Sequence, residues 1–108
     1  MLPGRGYNGL VGLGRATSPG EVLAEEFLEP LQISQNALAR ALHVPPRQIN
    51  QIVHGTRAIT TRTALLLARY FGTTPEFWIN LQTHYDLVRE RERLGDELFR
   101  IQPRQLAS

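Results

Sequence analysis

Cysteine and lysine are both absent from this chain of 108 residues, and tryptophan and methionine occur once each. The lack of cysteine excludes a disulfide framework, a thiolate zinc cluster and a thiol nucleophile, so packing alone has to hold the fold. Long apolar runs are missing too. Nothing approaches the roughly 20 residues of a membrane helix, and Met1-Leu2-Pro3-Gly4-Arg5 is not followed by the apolar core of a signal peptide. The expectation is a cytoplasmic protein with no membrane partner. No segment alternates with period two for long enough to suggest a strand, which points to an all-α fold. The length suits one small domain and excludes a multidomain enzyme.

Acidic side chains are missing from one region only. Residues 34–75 hold Arg40, Arg47, Arg57, Arg62 and Arg69 with no Asp or Glu, whereas residues 1–33 sum to −2 and residues 76–108 to −1. A +5 segment inside a chain of net charge +2 is a concentration of positive field suited to a polyanion, nucleic acid above all.

Residues 1–17 contain five glycines and no apolar period, and read as a flexible arm. Gly4, Gly6 and Gly9 spell GxGxxG without the preceding strand and following helix that a dinucleotide site needs, so the match carries no function. Helix signals begin at Ser18-Pro19-Gly20-Glu21, a capping box with proline at the first helical position. Leu23, Ala24, Phe27, Leu28 and Leu31 then follow helical spacing opposite Glu21, Glu25 and Glu29, and Pro30 is expected to end this helix. Ser34 caps a second helix with Leu38, Ala39 and Leu42 inward. A third runs from about Pro46 to His54 and stops at Gly55. Thr60 caps a fourth, terminated by Gly72, and Thr73-Thr74-Pro75-Glu76 opens a fifth. This last helix carries Trp78, Leu81, Tyr85 and Val88 before the alternating charges of residues 89–93. Five helices between about residues 18 and 93 are therefore predicted. The stretch 97–101 fits either one more turn or a loose end within a tail of residues 94–108.

Two short helices joined by a tight turn in the acid-free segment suggest a helix-turn-helix over about residues 34–55. Ala39 supplies the small residue for close packing, His43 the turn position that must tolerate positive φ, and Val44, Ile49 and Ile52 the buried positions. At about 100° per residue, Arg47, Gln51 and His54 point away from Ile49 and Ile52, with Gln48 and Asn50 on the flanks. These five are the candidate base contacts, because Arg pairs bidentately with guanine, and Gln or Asn with adenine, in a major groove. Ser34, Gln35, Thr56, Arg57 and Arg62 lie at the edges of the motif as candidate phosphate contacts. A solvent-facing polar helix surface is the plain alternative. The apolar stripe Trp78, Leu81, Tyr85 and Val88 is the candidate dimer interface, although part of it, Trp78 first, is needed to cover the core.

His43, His54 and His84 raise the question of a metal or a general base. They fall on a turn, the end of a polar helix and a separate helix, without a cysteine or dense carboxylate set nearby, so neither catalysis nor a metal or other cofactor is expected.

The strings PGEVLAEEFL at 19–28, ISQNALA at 33–39, PPRQINQIVHGTRAIT at 45–60 and ARYFGTTPEFWINLQ at 68–82 together resemble the HigA family of antitoxins, within the lambda-repressor-like helix-turn-helix class. The resemblance spans about residues 18–88. It implies a dimeric repressor that binds its own double-stranded operator and neutralises an mRNA-cleaving HigB-type RNase toxin, working in the cytoplasm at the nucleoid. His43 departs from the family's usual turn glycine. The arm and tail lie outside the similar region. A stand-alone helix-turn-helix repressor without a toxin is the alternative.

Overall fold

The computed structural model describes residues 17–105, so the expected arm lies almost wholly outside the described residues. The first helix, α1, spans 19–31 and changes register twice. It is α-helical over Pro19–Val22, π-helical over Leu23–Leu28 and α-helical again over Glu29–Leu31. The Ser18 hydroxyl accepts from the Glu21 N–H at 3.2 Å, and the Glu21 carboxylate accepts from the Ser18 N–H at 3.0 Å, completing the capping box.

Pro30 does not end α1. In an α-helix its ring would press on the carbonyl four residues back. The wider π turn just before it, marked by Glu29 N–H bonding to the Ala24 carbonyl, gives the ring room. The helix stops instead at Gln32, held left-handed at φ 55°, where the Ile33 N–H reaches back to the Leu28 carbonyl at 2.9 Å.

Helices α2 (Gln35–Leu42), α3 (Pro46–Val53), α4 (Thr61–Phe71) and α5 (Pro75–Leu94) follow, and a short α6 (Asp96–Phe99) lies beyond Gly95. Ser34, Thr60 and Thr74 each cap a helix through a side-chain oxygen that accepts from the N–H three residues on. The fifth helix runs through the charged residues 89–93 to Leu94, one residue beyond the predicted span. No strand occurs among the described residues. The architecture is all-α.

Phe27, Leu38, Ile49, Ile52, Leu67 and Trp78 lie at the centre of the core. Burying an aliphatic side chain of this size contributes about 1.5–3 kcal/mol. Four aromatic rings concentrate at one end: Phe27 sits 4.8 Å from Phe71 and 4.9 Å from Trp78, and Phe77 meets Trp78 edge-on at 5.0 Å. The Trp78 indole N–H donates to Thr73 Oγ1 at 2.8 Å, so even its polar atom is satisfied within the protomer.

Candidate nucleic-acid interface

The turn between α2 and α3 depends on one backbone conformation. His43 sits at φ 59°, the left-handed region expected of it, and the Val44 N–H bonds back to the Ala39 carbonyl at 3.0 Å. Ala39 is completely buried, which lets α3 lie directly against α2. Pro46 occupies the first position of α3, where its missing N–H leaves no bond unmade.

A residue not foreseen also positions α3. Gly20, in the first turn of α1, lies against the end of α3 so closely that a β-carbon there would overlap the Ile52 carbonyl oxygen and stand 2.8 Å from that of Val53. Glycine in a helix costs about 1 kcal/mol relative to alanine, so its place in a first turn was the available signal. Gln82 of α5 was missed as well. Its Oε1 accepts from the Ile59 N–H at 2.8 Å and its Nε2 donates to Asp86 Oδ1 at 3.0 Å, tying the loop after α3 to the last long helix. Nothing in its spacing marked it out.

On the outer side of α3, Arg47, Asn50 and His54 are exposed and Gln51 is half-buried, all on one side of the buried pair Ile49 and Ile52. Gln48 is turned away from them. It is half-buried, and its Nε2 donates to Thr63 Oγ1 of α4 at 3.3 Å. Asn50 Nδ2 donates to Gln35 Oε1 at 3.2 Å, joining a candidate base contact to a candidate phosphate contact across the motif. The His54 ring folds back so that Nδ1–H donates to the Asn50 carbonyl at 2.8 Å, closing the last turn. The Arg57 Nε–H donates to Gln51 Oε1 at 2.8 Å. Ser34, Thr56 and Arg62 are exposed around this row, Ser34 with its hydroxyl engaged in capping α2 and Thr56 with its hydroxyl donating to the Gln51 carbonyl. Arg40, Arg47, Arg57, Arg62 and Arg69 are all exposed, and among the described residues none is paired with a carboxylate. Their field is therefore not cancelled locally.

The expected dimer stripe is corrected at one position. Trp78 is fully buried in the aromatic cluster and cannot reach a second chain without unpacking the core. Leu81, Tyr85 and Val88 are half-buried. The three histidines lie on separate elements, and among the described residues no three His, Asp or Glu side chains gather as a metal site would require. No helix among them is long and apolar enough to cross a membrane.

Two helices at a tight turn, the second with a polar face turned outward, define a helix-turn-helix protein, and residues 25–78 match the helix-turn-helix (HTH_3) family. Virulence-associated protein I of Dichelobacter nodosus is 56% identical over 72 residues, which are 67% of this chain and 67% of that protein. An addiction module antidote protein of the HigA family from Coxiella burnetii superposes with a TM-score of 0.79 at 43% identity, over 83% of this chain and 99% of that one. Pseudomonas aeruginosa antitoxin HigA, solved with the higBA promoter, superposes with a TM-score of 0.81 at 41% identity, over 84% and 100% of the two chains. The chain belongs to the HTH_3 helix-turn-helix family and, within it, to the HigA antitoxins.

Proposed function

We propose that this protein binds its own operator as a homodimer, represses transcription from it, and neutralises an mRNA-cleaving RNase toxin of the HigB type. The observation that carries the DNA reading is the outward row of Arg47, Asn50 and Gln51 on α3, inside a segment whose arginines pair with no carboxylate among the described residues. Arg47 and Gln51 are one turn apart and address base edges, with Asn50 and His54 beside them and Gln48 at the margin towards α4. Ser34, Gln35, Thr56, Arg57 and Arg62 surround the row and set its register on phosphates. Two copies would present two such helices to half-sites about 34 Å apart. Leu81, Tyr85 and Val88 of α5 offer the shared apolar surface. The promoter complex of the Pseudomonas relative supports this use of the fold. Such a protein works in the cytoplasm, at the nucleoid.

The test has two arms. Anisotropy titrations with duplex from the chain's own upstream region and with scrambled duplex, at several salt concentrations, should show tighter binding to the former; equal affinities would remove the repressor reading. Light scattering of the same samples reports the dimer. Co-expression with a small basic protein encoded next to this chain should give a stable complex and restore growth. Specific DNA binding with no such neighbour would leave a stand-alone repressor.

A further inference from the structure

We infer that Arg57 sets the base preference of Gln51, so that the pair reads guanine where an unconstrained glutamine reads adenine. This rests on the DNA-binding reading above and narrows it to one base. A glutamine amide carries one acceptor and two donor hydrogens, and its bidentate match in the major groove is adenine, which offers N7 as acceptor and N6–H as donor.

In the structure that freedom is narrowed, because one of the two lone pairs of Oε1 is already engaged. The Arg57 Nε–H donates to Gln51 Oε1 at 2.8 Å. A guanidinium has five N–H donors and no acceptor, so the amide atom turned towards it has to be the oxygen. The backbone of Gln51 is held as well: its carbonyl accepts from the Thr56 N–H at 2.9 Å and from the Thr56 hydroxyl at 3.2 Å. Gly55, at φ 80°, makes the reversal that brings Thr56 and Arg57 back alongside α3. Gln51 is thus oriented before any ligand arrives, with the Nε2 hydrogens as its free group.

The consequence is electrostatic. An adenine N6 amine would have to share an oxygen that already accepts a charge-assisted bond, approaching its second lone pair beside a cation that repels the amine's partly positive hydrogens. Guanine presents two adjacent acceptors, N7 and O6, to the same edge. Arg57 therefore acts as a positioning residue for base readout, besides contributing a positive charge to the phosphates.

The experiment uses the full chain and a randomised duplex library, with the bound fraction sequenced. Wild type should enrich guanine at one position of each half-site, and Gln51→Ala should flatten that position alone. Arg57→Ala should lower the guanine-to-adenine ratio there about tenfold as the freed amide takes adenine. It should also reduce the salt slope by about one contact. In a Gln51→Ala background, Arg57→Ala should change the salt slope and no base preference. Arg57→Ala that weakens all sequences alike, with guanine still enriched, overturns the inference and leaves the proposed function standing. A wild-type protein that enriches no sequence at all removes the DNA reading itself.

Discussion

Two regions of this molecule, the aromatic cluster and the outer face of α3, hold their side chains by different means. The rings of Phe27, Phe77 and Phe71 lie with centroids 4.9, 5.0 and 6.2 Å from that of the buried Trp78, and the cluster is placed by burial. Around Gln51, half-buried or exposed side chains are placed by hydrogen bonds to one another, each contributing only about 1 kcal/mol. A surface held this way is pre-shaped yet adds little to stability. Its residues can thus serve binding while the aromatic cluster maintains the fold.

Substitutions in the two regions should therefore separate folding from binding. The largest effect belongs to Trp78→Ala, which removes a fully buried ring and leaves a cavity lined by Phe27, Phe71 and Phe77. A loss of about 3–5 kcal/mol in urea unfolding is expected, with base preference unchanged in the protein that remains folded. A loss below 1 kcal/mol would show that this cluster is not the anchor described here.

Gly20→Ala is next and crosses the comparison, because Gly20 is in α1 but abuts the end of α3. Helix propensity alone favours alanine by about 1 kcal/mol. Overlap with backbone carbonyls that no side-chain rotation can relieve works against it, at about 1–3 kcal/mol or more. The net change should be destabilising, and DNA affinity should fall because α3 has to move. Thermal melts and an operator titration check both parts. A stabilised variant would mean the first turn of α1 yields more easily than the backbone contact implies.

Arg47→Ala should do the reverse of Trp78→Ala. As a surface change it should leave unfolding within about 0.5 kcal/mol, yet cost about 1–3 kcal/mol of binding per half-site and relax preference at one base pair. Arg62→Ala should weaken operator and scrambled DNA alike and lower the salt slope by about one. If Arg47→Ala instead follows the Arg62 pattern, the base-reading row lies elsewhere on α3.

How much of this was legible in the chain depended on how local each signal is. Helix starts at Ser18, Ser34, Thr60 and Thr74 were readable because a cap is a short-range bond, and the turn at His43 because its spacing to Ala39 and Ile49 is fixed by the motif. Pro30 misled, since the π turn that accommodates it involves the preceding six residues and no single one of them announces it. The alternating charges of residues 89–93 lie within the helical span read from the sequence, and the helix carries on through them to Leu94. The candidate base row came from helical geometry alone. The ties within it, Arg57 to Gln51 and Asn50 to Gln35, depend on how a loop returns and how α2 crosses α3, neither of which spacing encodes. Gln82 was invisible for the same reason: its partner, the Ile59 N–H, lies on a different element.

The smallest effects concern two left-handed turns, one at each end of the comparison. Gln32 closes α1 at φ 55° and His43 closes α2 at φ 59°. Both are exposed. A non-glycine residue here places its β-carbon against the following carbonyl at about 1–2 kcal/mol, and glycine removes that strain while adding unfolded-state entropy. The balance favours glycine by about 0.5–1 kcal/mol at either site. Histidine is among the residues enriched at positive φ and glutamine is not. Gln32→Gly should therefore raise the melting temperature at least as much as His43→Gly. Neither should alter base preference, since neither side chain belongs to the row on α3. A destabilised His43→Gly would reveal a packing role for the imidazole at the turn itself. One that changed base preference would mean that the α2 to α3 crossing angle, rather than the α3 side chains alone, decides which edges are read.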